Sequence, residues 1–409
     1  MEVKSQRCSV HTSDCIIHGY SYNCISPALR KVIQDIIAKE EYKTYKVNIT
    51  HVPLDGGNYL STLITADIKG TTNDETKEVN IFVKRVLDNF DKCDNILSIP
   101  ELHTREIYAY DELFKIYKEL QDEVDVPIEE QFNVPKYYDS SNSEFIILEN
   151  LTKKGFSTHN RFQAVQKTFA KISVQKLAKF HALSFVTQKK RPQYFLNKMQ
   201  SIKVPYDFND EMQKIMYNFA QIATNNLEGI MKKKLEDFVP RVMTKMSASM
   251  CDDTNGEVTN ICPVDYQFLH YGNPITDLLY FIFSGTDQQF RNEHLEDIKI
   301  LYYETMTTFL RYFDMNIEDY FPRDTFETLF KERLDFGLVV AIWLLPLTFA
   351  AADDVPDFSK TSPADVQFKV DKALKFRLEG IICSHSSKSI MTSINSKTRK
   401  PREIKNDIK

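Results

Sequence analysis

The stretch that decides the reading of this chain is Val264-Asp265-Tyr266-Gln267-Phe268-Leu269-His270-Tyr271-Gly272-Asn273-Pro274-Ile275-Thr276-Asp277-Leu278-Leu279-Tyr280-Phe281. An apolar residue delivers an acid, Asp265. A tight turn follows at Gly272 and Asn273-Pro274, and a second acid, Asp277, opens an amphipathic helix. An aspartate brought to a loop entrance in this way can hold a magnesium ion against phosphate oxygens. Asp277, already on its helix, is better placed to brace such a site than to touch a metal.

Upstream of it, Ser26 and Pro27 suit the cap and first turn of a helix from Ala28 to Glu41, with Leu29, Val32, Ile33, Ile36 and Ile37 on one face. Strand signals follow at Tyr45 to Ile49, Tyr59 to Ile68 and Val79 to Val86, with a turn at Asp55-Gly56-Gly57-Asn58 and a polar hairpin tip over Lys69 to Glu78. A helix is predicted from Ile99 to Gln121, then short strands at Tyr137-Tyr138 and Phe145 to Leu148. Beyond about residue 160 the periodicity is helical: Phe162 to Thr187, Glu211 to Ser249, Glu293 to Phe313, Phe326 to Ala351 and Ala364 to Ile382. The order implies an α+β chain with a small lobe over 26–151, an antiparallel sheet with a helix, and a larger, mainly helical lobe over 152–382. Residues 1–25 read as an irregular extension and 383–409 as a disordered basic tail.

The 409 residues are 42% hydrophobic and 27% charged, enough for two lobes with a sizeable core. A net charge of −5 argues against a nucleic-acid partner. No apolar run reaches spanning length, and the N-terminus lacks a signal-peptide core, so no membrane partner is expected. Seven cysteines without a CxxC pair fit a reducing, cytoplasmic setting. Cys8, Cys15 and Cys24 lie near His11 and His18, but not at zinc-type spacing, and read as part of the extension.

Six motifs in one order carry a family resemblance: Gly57-Asn58-Tyr59, Phe82-Val83-Lys84, Glu106-Ile107-Tyr108, Leu148-Glu149-Asn150-Leu151 with Gly155-Phe156, Leu177 to Ala182 around His181, and Asp265 to Phe283. Each alone is weak. Together they resemble the insect ecdysteroid-kinase-like (CHK-kinase-like) proteins, which stand with choline kinases and aminoglycoside phosphotransferases in the protein-kinase-like two-lobe fold. The resemblance spans roughly residues 27 to 382. It implies ATP and magnesium as cofactors and a small lipophilic hydroxylated molecule, ecdysteroid-like or a related alcohol, as acceptor. No protein partner can be inferred from it.

The resemblance also assigns roles. Gly56, Gly57, Asn58 and Tyr59 would form the loop over the triphosphate, where glycine lets backbone N–H groups approach; without the resemblance they read as a plain hairpin turn. Lys84 would hold the α- and β-phosphates and pair with Glu106, the alternative being a surface lysine on an edge strand. The backbone at Leu148, Glu149 and Leu151 would meet the adenine edge; the bland alternative is an ordinary strand end. Asp265 would chelate magnesium. Gln267 stands where protein kinases have glycine, and Tyr266 replaces the family's phenylalanine. His181 reads as a buried structural histidine. A second Asp335-Phe336-Gly337 sits in a helical apolar pattern and reads as coincidence.

One part is missing. The family's catalytic loop reads H-G-D-x-x-x-x-N, its Asp accepting the acceptor's proton and its Asn holding magnesium. Between Thr187 and Asp265 the aspartates are Asp207, Asp210, Asp237, Asp252 and Asp253. The residues five further on are Met212, Ile215, Val242, Glu257 and Val258, and no histidine occurs in the interval. No catalytic base is therefore assigned. Asp253-Thr254-Asn255-Gly256-Glu257-Val258 resembles the hairpin tip that follows the loop in the family, as if strand, loop and next strand were excised as a block. The chain as written is expected to be inactive in transfer, with the Asp265 segment short of backbone partners. The alternative is a pseudokinase that binds nucleotide or a steroid-like ligand.

Overall fold

The computed structural model describes residues 16–18, 26–52, 61–86, 98–139, 144–203, 209–243, 264–351, 353–358 and 360–386. The small lobe is a six-stranded sheet: β1 (Ile16–His18), β2 (Thr44–His51), β3 (Ser61–Thr71), β4 (Thr76–Val86), β5 (Tyr137–Asp139) and β6 (Phe145–Glu149), in the order β1-β2-β3-β4-β6-β5. All neighbours pair antiparallel except β1, which lies parallel to β2. Strand β1 falls within the stretch expected to be irregular. The β3–β4 hairpin is also longer than its polar tip suggested, running in register to Thr71 and Thr76.

The pleat sorts the side chains. Val47 and Ile49, Ile64, Ala66 and Ile68, Ile81 and Val83, and Phe145 and Ile147 face one side. There they meet α1 (Pro27–Lys39), which turns Leu29, Val32, Ile33 and Ile36 towards them. Ser26 Oγ accepts the Leu29 N–H at 3.3 Å, and Pro27 occupies the first turn. Because successive residues alternate faces, Lys84, between Val83 and Arg85, points to the opposite side, flanked across the ladder by Leu63 and Ile146. Gly70 is required where β3 passes β2, since a Cβ there would stand 2.6 Å from the Tyr42 ring and 2.7 Å from the Thr44 carbonyl.

On that opposite side lies α2 (Ile99–Tyr108). It continues through a widened turn, Ala109–Leu113, into α3 (Phe114–Asp122). Ile146 and Leu148 of β6 join these helices in a second core that continues into the large lobe. The large lobe comprises α4 (Lys167–Lys190), α5 (Pro192–Asn197), α6 (Asp210–Asn225), α7 (Gly229–Met243), α8 (Pro274–Gly285), α9 (Gln288–Arg311), α10 (Arg323–Glu332), α11 (Leu334–Thr348) and α12 (Ala373–Ser386). Among the described residues no helix is long and apolar enough to cross a membrane.

Three helical expectations need correction. The span 211–249 divides at Asn226 and Gly229, where Gly229 adopts φ 53°. The span 326–351 divides at Arg333. The span 364–382 becomes helical only from Ala373, because Val370 first pairs with Ala350: the Ala351 N–H donates to Lys369 O at 2.8 Å and the Asp371 N–H to Phe349 O at 2.7 Å. Asp335-Phe336-Gly337 lies in α11, and a Cβ on Gly337 would come within 2.2 Å of the Phe283 ring of α8. That glycine serves helix packing.

Candidate active site

Lys84, in a central strand, reaches across to three side chains. Its Nζ donates to Glu106 Oε2 at 2.5 Å, to Asp265 Oδ1 at 2.6 Å and towards Gln267 Oε1 at 3.5 Å. Gln267 Nε2 in turn donates to Asp265 Oδ2 at 3.1 Å. Three separate elements supply the cluster: β4 gives the lysine, α2 the glutamate, and a short turn at Tyr266–Phe268 the Asp265 and Gln267 pair.

Burial is graded through the cluster. The Glu106 side chain is 2% exposed, Lys84 10% and Asp265 53%. An incoming solute therefore meets Asp265 first. Burial alone would lower the Lys84 pKa, but Asp265 and Glu106 outweigh it and hold the ammonium above its ordinary range. Burial pushes the Glu106 carboxyl up to about 7; Asp265 adds to the rise and Lys84 opposes it.

Asp265 adopts φ 71°, the left-handed region that aspartate tolerates better than most side chains. Backbone held there is favoured only where its surroundings fix it, and Tyr266 does so. Its ring, 1% exposed, packs edge-on to Phe114 at 4.5 Å, and lies near Tyr110 at 5.7 Å and Phe180 at 5.9 Å. The acid is thus pinned from behind by aromatic packing shared between the lobes.

Asp277 stands apart from this cluster. Asn273 Oδ1 accepts the Ile275 N–H at 3.0 Å and Pro274 fills the first turn of α8, placing Asp277 one turn in. Asp277 Oδ2 meets His181 Nε2 at 2.9 Å, and His181 Nδ1 meets the Tyr302 hydroxyl at 2.7 Å. This buried chain ties α8, α4 and α9 together; His181 is a buried, hydrogen-bonded histidine, and Asp277 braces this helix packing and makes no direct hydrogen bond to the Asp265 cluster. Asp277 Oδ1 is buried and makes no hydrogen bond.

Leu148 is core, at the end of β6. Glu149 Oε1 accepts the Lys136 N–H at 2.9 Å and its other oxygen pairs with Lys154. Leu151 opens a short turn capped by Asn150, whose Oδ1 accepts the Thr152 N–H at 3.1 Å. The Glu149 side chain is engaged locally, so any ligand role here falls to the backbone. Gly56, Gly57, Asn58 and Tyr59 lie outside the described residues, as do Cys8, Cys15, Cys24, His11 and the stretch after Ser386.

Two neighbours escaped the sequence reading. Arg105, 8% exposed, donates through Nη1 to Lys203 O and, at 3.2 Å, to Leu269 O, and through Nη2 to Glu101 Oε1 at 2.5 Å. It fastens α2 to the turn that carries Asp265. His103, one helical turn before Glu106, is buried with Nε2 unpartnered. Burial first, then the Lys84 charge, lowers its pKa to about 4. The available signal was a polar residue inside the apolar stripe of Leu102, Ala109 and Leu113.

A small lobe of sheet plus helix, a helical large lobe and a strand lysine paired to a helix glutamate define a kinase-like two-lobe protein. The chain belongs to the ecdysteroid kinase-like family, which matches it over residues 55–255 and 249–315. No curated protein matches it.

Proposed function

We propose that this chain belongs to the ATP-dependent phosphotransferases that act on a hydroxyl of a small lipophilic molecule, and that, as written, it binds magnesium-ATP without transferring the phosphoryl group. The observation that carries the nucleotide site is the convergence of Lys84, Glu106 and Asp265 on one ammonium at 2.5 and 2.6 Å.

The residues fit a magnesium nucleotide. Among the described residues no group of three or more His, Cys, Asp or Glu could hold a metal ion. Magnesium commonly takes one or two carboxylates and completes its shell with phosphate oxygens and water. Asp265, half-exposed and already holding a cation on Oδ1, suits that part. When bound, the metal neutralises charge on the β- and γ-phosphates. Lys84 would hold the inner phosphates, kept charged and aimed by Glu106, while the backbone after β6 would meet the adenine.

Transfer needs more. A positioned base and a second metal ligand come from the loop that this sequence lacks, and orientation with charge stabilisation supplies most of phosphoryl-transfer catalysis. The two family matches meet at residues 249–255, in the same interval. The direct test is to titrate the purified chain with ATP with and without magnesium, and to follow ATP hydrolysis with steroid and other alcohol acceptors. Saturable magnesium-dependent binding without acceptor-dependent turnover is the expected outcome; acceptor-dependent turnover would refute it. Sequencing the transcript across the codons for Lys245 to Cys262 decides the origin. An in-frame block encoding H-G-D-x-x-x-x-N would make the full-length product an active kinase.

A further inference from the structure

The geometry points to Gln267 as the positioning residue that admits the divalent cation, an inference that rests on the nucleotide-site reading above. Both carboxylate oxygens of Asp265 are engaged in this structure: Oδ1 accepts from Lys84 at 2.6 Å and Oδ2 from Gln267 Nε2 at 3.1 Å. A metal arriving at Asp265 must compete with the Lys84 ammonium for that carboxylate. Gln267 is the side chain that touches both the carboxylate and the ammonium. Its N–H end holds the carboxylate, and its Oε1 stands 3.5 Å from Lys84 Nζ. An amide is neutral and carries donor and acceptor at once. It would therefore fix the carboxylate through Oδ2, leave Oδ1 to be shared between the ammonium and the metal, and offer the released ammonium a replacement acceptor without adding charge. The glycine that protein kinases have at this place can do none of these.

Gln267 touches neither phosphate nor reacting atoms in this role, so its effect is confined to the metal-dependent part of binding. The experiment is a magnesium titration of ATP binding to the full chain by calorimetry, comparing wild type with Gln267→Met and Gln267→Leu. Both variants fill a similar space and remove the amide. The magnesium half-saturation is expected to rise about tenfold, the worth of one hydrogen bond to a charged group. ATP affinity in the absence of metal and the melting temperature should stay close to wild type. Unchanged magnesium half-saturation in both variants overturns the role of Gln267. An equal loss with and without magnesium also overturns it, since that pattern marks general damage to the site. If wild type itself binds no magnesium-ATP, the nucleotide-site reading fails and this inference falls with it.

Discussion

Lys84 is the residue on which the rest of the site depends. Changing it to Met leaves Glu106 as a buried carboxylate without its cation, a kind of loss that typically costs about 3–5 kcal/mol. Protonation relieves part of that. Glu106 sits in the fold with a pKa pushed up to about 7, and without the ammonium it rises further. Since the folded state then holds its proton to higher pH than the unfolded chain, the added destabilisation appears as pH rises. Lys84→Met should lower the melting temperature more at pH 8 than at pH 6; equal losses would contradict the ion-pair account. His103 behaves oppositely. Its folded-state pKa, about 4, lies below the ordinary 6.5, so its contribution is complete above pH 6.5 and is lost as pH falls towards 4. His103→Gln should flatten the stability profile between those limits, measured by urea unfolding at half-unit steps; an unaltered slope would exclude this. Lys84, Glu106 and Asp265 were readable in the sequence because each sits in a motif whose order has meaning. Arg105 and His103 were not, because a buried polar residue in a helix leaves no spacing signature, only an interruption of an apolar stripe.

Among the elements, α2 is the one whose position matters most, since it carries Glu106 and is fastened to the Asp265 turn by Arg105. Arg105→Ala releases two carbonyls at the lobe junction, those of Lys203 and Leu269, and should weaken ATP binding about tenfold, the worth of one hydrogen bond to a charged group. Arg105→Lys, a point donor without the planar fork, should restore only part of it; full restoration would mean that charge alone suffices. Gly337→Ala drives a methyl into Phe283, and overpacking of this kind costs about 1–3 kcal/mol. Its melting temperature should fall with the nucleotide site intact. Element types were well forecast where the period was clean, as in β3 and β4. The breaks at Asn226–Gly229 and before Ala373 were missed for different physical reasons. In the first, the apolar helical pattern runs on across the break, while α6 closes at Asn225 and a left-handed glycine, Gly229, turns the chain into α7. In the second, pairing of Val370 with Ala350 overrides local helical preference, and no window of local sequence contains that partner.

At the scale of the molecule, the two hydrophobic cores make the small lobe a sheet filled on both faces, with the lobe junction continuous through β6 and α2. A ligand bound across that junction should stabilise the whole chain. Magnesium-ATP at a hundredfold excess over its Kd is expected to add about 2.7 kcal/mol, visible as a raised melting temperature that a chelator reverses; no shift in either direction would count against the site. The two-lobe plan was legible because strands precede helices along the chain. The joining of Lys84 to Asp265 has a further consequence, one of timing. The two residues are 181 positions apart. At synthesis rates of about 5–20 residues per second, Asp265 leaves the ribosome roughly 9–36 s after Lys84. Glu106 follows Lys84 by only 22 positions, so for most of that interval it is the one acid of the pair yet made, and the outermost carboxylate of the cluster is the last of the three to appear.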